Sequence, residues 1–140
     1  MRVAANGLEF EVEIDEPAAA TLREGIEPAS VLLIMGLGMQ LIAWPEALVS
    51  ALTGAGYRVI RFDNRDIGLS TKLTEAGLPD SAAIEKALKA GTSPPLPYTL
   101  HDMAADTVGL LDALNLQQVH LVGASMGGAI AQLIAIDYPE

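Results

Sequence analysis

Cysteine is absent from the 140 residues, which excludes disulfides, thiolate metal sites and a cysteine nucleophile and gives no reason to expect an oxidising compartment. Cations are scarce as well. Eight Lys and Arg stand against 18 Asp and Glu, a net charge of −10, and such a surface repels phosphate backbones and anionic lipid alike, so neither nucleic acid nor membrane is an expected partner. Long apolar runs are also missing. Val31 to Met39, with Leu41 to Trp44 just beyond, is broken by glycines and Gln40 and falls short of the roughly 18 residues that a spanning helix needs. Behind Arg2 there is no apolar segment of signal-peptide type, because an acidic stretch begins at once, and a cytoplasmic location is the expectation. Histidine occurs only at His101 and His120. No metal and no other cofactor is expected.

What the chain does have is apolar residues, 51% of the total, enough to bury one core but not two of ordinary size, so residues 1–140 read as one domain. Glu9, Glu11, Glu13, Asp15 and Glu16 alternate with Phe10, Val12 and Ile14. That period of two describes a half-buried strand with its acids toward solvent, not a metal cluster or a docking tail. Asn6-Gly7 before it supplies the positive φ angles of a two-residue hairpin turn. Pro17 to Pro28 lacks a sustained period and reads as a connection with one short helical turn at most. Val31 to Met35 has no polar break, as expected of a strand covered on both faces by helices. Pro45 and Glu46 suit the first turn of a helix that ends near Gly54 or Gly56. Tyr57 to Phe62 is the next strand, joined to the preceding one by a right-handed parallel crossover. Residues 71 to 98 form a long excursion, helical around Ser81 to Lys89, of the kind that often serves as a lid. Thr99 and Asp102 then form a capping box for a helix with Leu100, Met103, Leu110 and Leu114 on its apolar face. Val119 to Val122 reads as a short buried strand, and Met126 to Tyr138 as an apolar helix stopped by Pro139.

Chemistry concentrates where that last strand meets that last helix. Gly123-Ala124-Ser125-Met126-Gly127 sets a serine in a sharp strand-to-helix turn, with glycine two positions before and two after. In such a turn the serine takes a strained backbone conformation that lifts its hydroxyl into the open, and a side chain at 123 or 127 would collide with the neighbouring strand or helix. The amide of Met126 is left at a helix start, where it can donate to an oxyanion formed beside Ser125. A dinucleotide-binding turn would need GxGxxG after the first strand, and Gly123 to Gly128 lacks that spacing. The second oxyanion donor normally comes from the loop after the third strand. Gly36-Leu37-Gly38 stands there, and the Leu37 amide is the candidate.

Taken in order, Gly36-Leu37-Gly38 with Trp44, then Asp63-Asn64-Arg65-Asp66-Ile67-Gly68-Leu69-Ser70, then Gly123-Ala124-Ser125-Met126-Gly127, the chain resembles the α/β-hydrolase superfamily over nearly all of its length. Its middle loop looks like that of the branch containing methylesterases of the aclacinomycin type. The resemblance implies an α/β fold with a mostly parallel twisted sheet, helices on both faces, an N-terminal hairpin and the strand order 1-2-4-3-5. It also implies attack of Ser125 on the carbonyl of a small-molecule ester, an acyl-enzyme, and hydrolysis by water, with Trp44 a candidate wall of the acyl pocket. Thioester, lactone or carbon–carbon bond hydrolysis and cofactor-free haloperoxidase chemistry use the same serine. Many relatives have Gly where Asp66 stands and His-Gly where this chain has Met35-Gly36. Met35 offers no polar side chain, so the oxyanion loop is expected to be held by backbone bonds or by Asp63, Arg65 and Asp66, whose roles are structural.

Family order is Ser, then acid, then His, the last two from later strands. Neither histidine here suits that part: His101 lies in the first turn of a helix and His120 five residues before Ser125, pointing to a sheet face well below it. The chain is therefore expected to be the N-terminal half of a hydrolase, truncated after the nucleophile helix and inactive alone, or else a non-catalytic half-domain. Val119 to Val122 would then be an open sheet edge. A homodimer or higher assembly through that strand and the last helix is expected.

Overall fold

The structure is a computed structural model and describes residues 1–22 and 25–139. Two residues of the Pro17 to Pro28 connection, 23 and 24, thus lie outside the described residues. Strands β1 (Arg2–Ala5) and β2 (Leu8–Asp15) form the expected hairpin, and Asn6 and Gly7 take the positive φ values, 47° and 76°, that the tight turn requires. Then follow β3 (Ser30–Ile34), α1 (Glu46–Gly54) and β4 (Arg58–Phe62). After the excursion, which contains α2 (Ser81–Lys89), come α3 (Leu100–Ala113), β5 (Val119–Gly123) and α4 (Met126–Asp137). The five strands make one open sheet in the order β1-β2-β4-β3-β5, as the resemblance implies. It is a mixed sheet: β1–β2 and β2–β4 are antiparallel, while β4, β3 and β5 run parallel.

Strand β3 lies between β4 and β5 and every one of its residues is buried. Its side chains divide between two cores, as the pleat demands. Val31 and Leu33 join Met35, Val49 and Val59 on the α1 face, whereas Leu32 and Ile34 join Phe10, Ile60, Phe62, Leu110 and Ile130 beneath α3 and α4. Burying each such side chain contributes about 1.5–3 kcal/mol, so β3 is held firmly on both faces up to the loop that follows it. Helix α3 begins at the anticipated capping box of Thr99 and Asp102.

Two expectations need revision. The acids of β2 are more than a solvated face: Glu13 and Asp15 each lie 2.9 Å from Arg61, Glu11 takes the N-terminal ammonium and Glu16 takes Arg58. Arg61 is buried on the same sheet face, and a buried guanidinium needs such partners. Strand β5 is only half-buried, with alternate residues exposed, because β3 covers one of its edges and no described strand covers the other.

Candidate active site

Ser125 occupies the turn between β5 and α4 with φ 52° and ψ −118°, a conformation that costs an L-residue about 1–3 kcal/mol and persists only where the surroundings enforce it. The enforcement is visible. The Ala124 amide donates to the Ile34 carbonyl at 3.0 Å, prolonging the β3–β5 ladder, and the next turn closes with the Gly127 amide on Ala124 O at 2.8 Å and the Gly128 amide on Ser125 O at 2.9 Å. A Cβ at Gly123 would lie 2.2 Å from the Gly127 oxygen, and one at Gly127 would lie 2.0 Å from the Ile34 oxygen. Both overlaps are with backbone, so the two glycines are required by close approach, as the sequence pattern anticipates. Ser125 is exposed, and its side chain does not cap α4.

The loop after β3 leans on this turn. A Cβ built on Gly36 would sit 3.2 Å from Ser125 Cβ and 3.8 Å from Oγ, so the Leu37 peptide starts beside the hydroxyl. The Leu37 side chain is 78% exposed, which leaves its backbone amide as the group of interest. Among the described residues neither the Leu37 nor the Met126 amide donates to a backbone acceptor. Two uncommitted N–H groups flanking an exposed hydroxyl, one of them at a helix start, suit a developing oxyanion. Trp44 lies in the α1-side core, against which Ala124 also packs, and its indole N–H is buried without a hydrogen-bond acceptor among the described residues.

The supports of the loop after β3 differ in part from those expected. Asp63 is one of them: its Oδ1 accepts the Leu41 amide at 2.7 Å and its Oδ2 the Leu69 amide at 2.9 Å. Arg65 and Asp66 are not. Arg65 turns to Asp106, with Nε 2.6 Å from Oδ2, and lies over the Tyr98 ring with its Cζ 4.9 Å from the centroid. Asp66 accepts the Leu73 amide at 2.6 Å. Burial first, and the nearby Asp66 second, raise the Tyr98 phenol above its ordinary pKa. In place of Arg65 and Asp66, the Asn64 side-chain amide donates to the Met35 carbonyl at 3.2 Å. Sequence reasoning passed over Asn64. The available signal was a polar residue two positions beyond the end of β4, in alternation with the buried Ile60 and Phe62.

The histidines stand where the sequence leaves them. His101 Nδ1 is 3.0 Å from Asp137 Oδ2, a histidine–carboxylate pair at the far end of α4, roughly 18 Å from Ser125 by helix rise. His120 packs edge-on to Tyr57, with centroids 5.7 Å apart, about 16 Å back along the chain. Neither is within hydrogen-bond reach of the serine. A groove of about 840 Å³ is lined by Leu111, Leu116, Val119, His120, Leu121 and Ile134, among others, and by no residue of the 123–127 turn. Among the described residues no His, Asp and Glu side chains group as a metal site, and no helix is long and apolar enough to cross a membrane.

A mixed sheet with a strained serine between its last strand and a helix defines a class, and the family model of the alpha/beta hydrolase fold matches residues 29–140. The chain belongs to that family. Rhodomycin D methylesterase DnrP of Streptomyces peucetius is 36% identical over 112 residues, covering 80% of this chain and 32% of that protein. Rhodomycin D methylesterase DauP of Streptomyces sp. (strain C5) is 37% identical over 120 residues, covering 84% and 34%. The enol-lactonase of Burkholderia xenovorans LB400 superposes with a TM-score of 0.71 at 25% identity, over 99% of this chain and 42% of that one. The chain thus spans about one third of the length of the curated relatives it matches.

Proposed function

We propose that this chain carries the nucleophile half of a serine esterase. Ser125 attacks the carbonyl of a carboxylic ester, the amides of Leu37 and Met126 hold the oxyanion, Trp44 contributes to the acyl pocket, and water releases the acyl group. The observation that carries this reading is the exposed, strained Ser125 flanked by two uncommitted amides. The named activities of DnrP and DauP, both methylesterases, support an ester over other acyl substrates. The general base and its orienting acid come from outside residues 1–140. Without them the serine hydroxyl is not activated, and losses of that kind reduce turnover by several orders of magnitude, so the 140 residues alone are inactive.

Full-length protein should be labelled at Ser125 by a fluorophosphonate and should hydrolyse p-nitrophenyl esters, with both properties lost in Ser125→Ala. Equal labelling of Ser125→Ala would refute the assignment, and robust turnover by the 140-residue chain would refute the half-site. As a separate part of the proposal, the 140-residue chain self-associates along the open edge of β5 and the exposed side of α4, where Val122, Ile136 and Tyr138 are 40%, 71% and 43% exposed. Sedimentation that finds only monomer would remove that part.

A further inference from the structure

Asp63 and Asn64 are adjacent, each is 2% exposed, and both end on the same loop from opposite directions. Asn64 holds the Met35 carbonyl, the last acceptor before Gly36, and Asp63 holds the Leu41 amide, the first donor after Gln40. Between these two bonds the loop has little to define it. Residues 37–40 are exposed, and its one internal backbone bond runs from the Met39 amide to Gly36 O at 3.3 Å. A segment with so few buried contacts takes its position from its anchors.

We propose that Asp63 and Asn64 are positioning residues that pin the two ends of residues 35–41 and thereby fix the Leu37 amide against the Ser125 hydroxyl. The proposal rests on the serine-esterase reading of that hydroxyl. The anchors are themselves locked. Asp63 Oδ2 accepts the Leu69 amide, its carbonyl accepts the Ser70 hydroxyl at 2.6 Å, and a Cβ at Gly68 would fall 1.8 Å from Oδ2, so the Gly68-Leu69-Ser70 turn is folded directly onto the carboxylate. Buried bonds of this kind resist distortion because water cannot replace them. The Asp63 bonds are charge-assisted as well.

An oxyanion donor acts in the transition state and hardly at all in the ground state, so a loosened anchor lowers kcat and leaves KM nearly unchanged. Loss of a whole donor costs about 100- to 1,000-fold in kcat. A donor that is present but out of place should cost about 10- to 100-fold.

The test uses full-length wild type, Asn64→Leu, Asn64→Ser, Asn64→Gln and Asp63→Asn, with p-nitrophenyl ester kinetics, fluorophosphonate labelling rates, and hydrogen exchange of the amides of residues 36–41 and of β3. Asn64→Leu and Asp63→Asn are expected to lose about 10- to 100-fold in kcat and in labelling rate, with KM within about twofold and faster exchange confined to the loop. Asn64→Ser, whose hydroxyl falls short of the Met35 carbonyl, gives the same loss without an apolar mismatch, and Asn64→Gln, which keeps the amide donor, recovers part of it. Wild-type kcat, labelling and loop exchange in folded Asn64→Leu, Asn64→Ser and Asp63→Asn would overturn the positioning role alone. A wild type neither labelled at Ser125 nor active would overturn the esterase reading and this inference with it.

Discussion

Gly127→Ala and Gly128→Ala differ by one position in the same helical turn and should change stability in opposite directions. An alanine in place of glycine inside a helix is ordinarily worth about 0.5–1 kcal/mol. At Gly128 the new Cβ would meet the Gly123 oxygen at 3.4 Å, an ordinary contact, so the gain survives and the variant should be as stable as the wild type or slightly more so. At Gly127 the Cβ would lie 2.0 Å from the Ile34 oxygen, 2.7 Å from its carbon and 2.9 Å from the Met35 oxygen. Restoring contact distance requires α4 to retreat by about 1 Å from β3, the strand least able to move, and overpacking of that severity costs about 3 kcal/mol. Net of helix propensity, Gly127→Ala should lose about 2 kcal/mol, leaving the two variants about 3 kcal/mol apart. Urea unfolding followed by circular dichroism, with linear extrapolation, measures this directly. A Gly127→Ala protein as stable as Gly128→Ala would refute the close-packing account of the nucleophile turn.

Ser125→Gly should abolish fluorophosphonate labelling yet raise stability by about 1 kcal/mol, since glycine occupies φ 52° without the strain that serine bears; unchanged or lower stability in urea would show that the turn is not strained. Asp106→Ala strands the Arg65 guanidinium and leaves the Asn6 side-chain amide, now 2.7 Å from Asp106 Oδ1, without its acceptor, so it should cost about 3–5 kcal/mol by the same assay, and the double variant Arg65→Met, Asp106→Leu should recover most of that. The Thr99 side chain first, and its backbone amide second, hold the Asp102 carboxyl below its ordinary pKa. A carboxyl lowered in the folded state contributes stability above its unfolded pKa and loses it as pH falls through the folded value. Thr99→Ala should therefore lose about 1 kcal/mol at neutral pH, and the gap should narrow in acid without closing, because the Thr99 hydroxyl's bond to the Asp102 carboxylate weakens on protonation while its cap on the Asp102 amide persists, as thermal melts against pH would show; a gap that does not change with pH would refute the part assigned to the carboxylate.

Much of the fold was legible because local rules agree with the tertiary outcome. Asn6-Gly7 makes a turn in almost any hairpin, Thr99 and Asp102 cap a helix with atoms three residues apart, and the four consecutive apolar residues of β3, Val31 to Ile34, suit a strand buried on both faces. The glycines at 123 and 127 were legible for a related reason: their spacing matters to a strand and helix already adjacent in sequence. Roles that depend on distant partners were harder to read. The acidic stretch of β2 gave no sign that Glu13 and Asp15 would close on Arg61, because that contact exists only once β2 pairs with β4. Asn64 carried no local signature of a bond to Met35, 29 residues earlier.

By itself, then, the sequence determined the elements, their order, and the serine with its two flanking glycines, since each depends on backbone preferences and contacts within a few residues. Tertiary structure alone decided which polar side chains support the loop of residues 35–41. Asp63, Asn64, Arg65 and Asp66 are consecutive and all polar, yet Asp63 and Asn64 turn to that loop, Arg65 to α3, and Asp66 to the root of the excursion. The physical reason is direction: where β4 ends, successive side chains leave the backbone on different sides, and each buried polar group bonds to whatever the packed sheet and helices place before it.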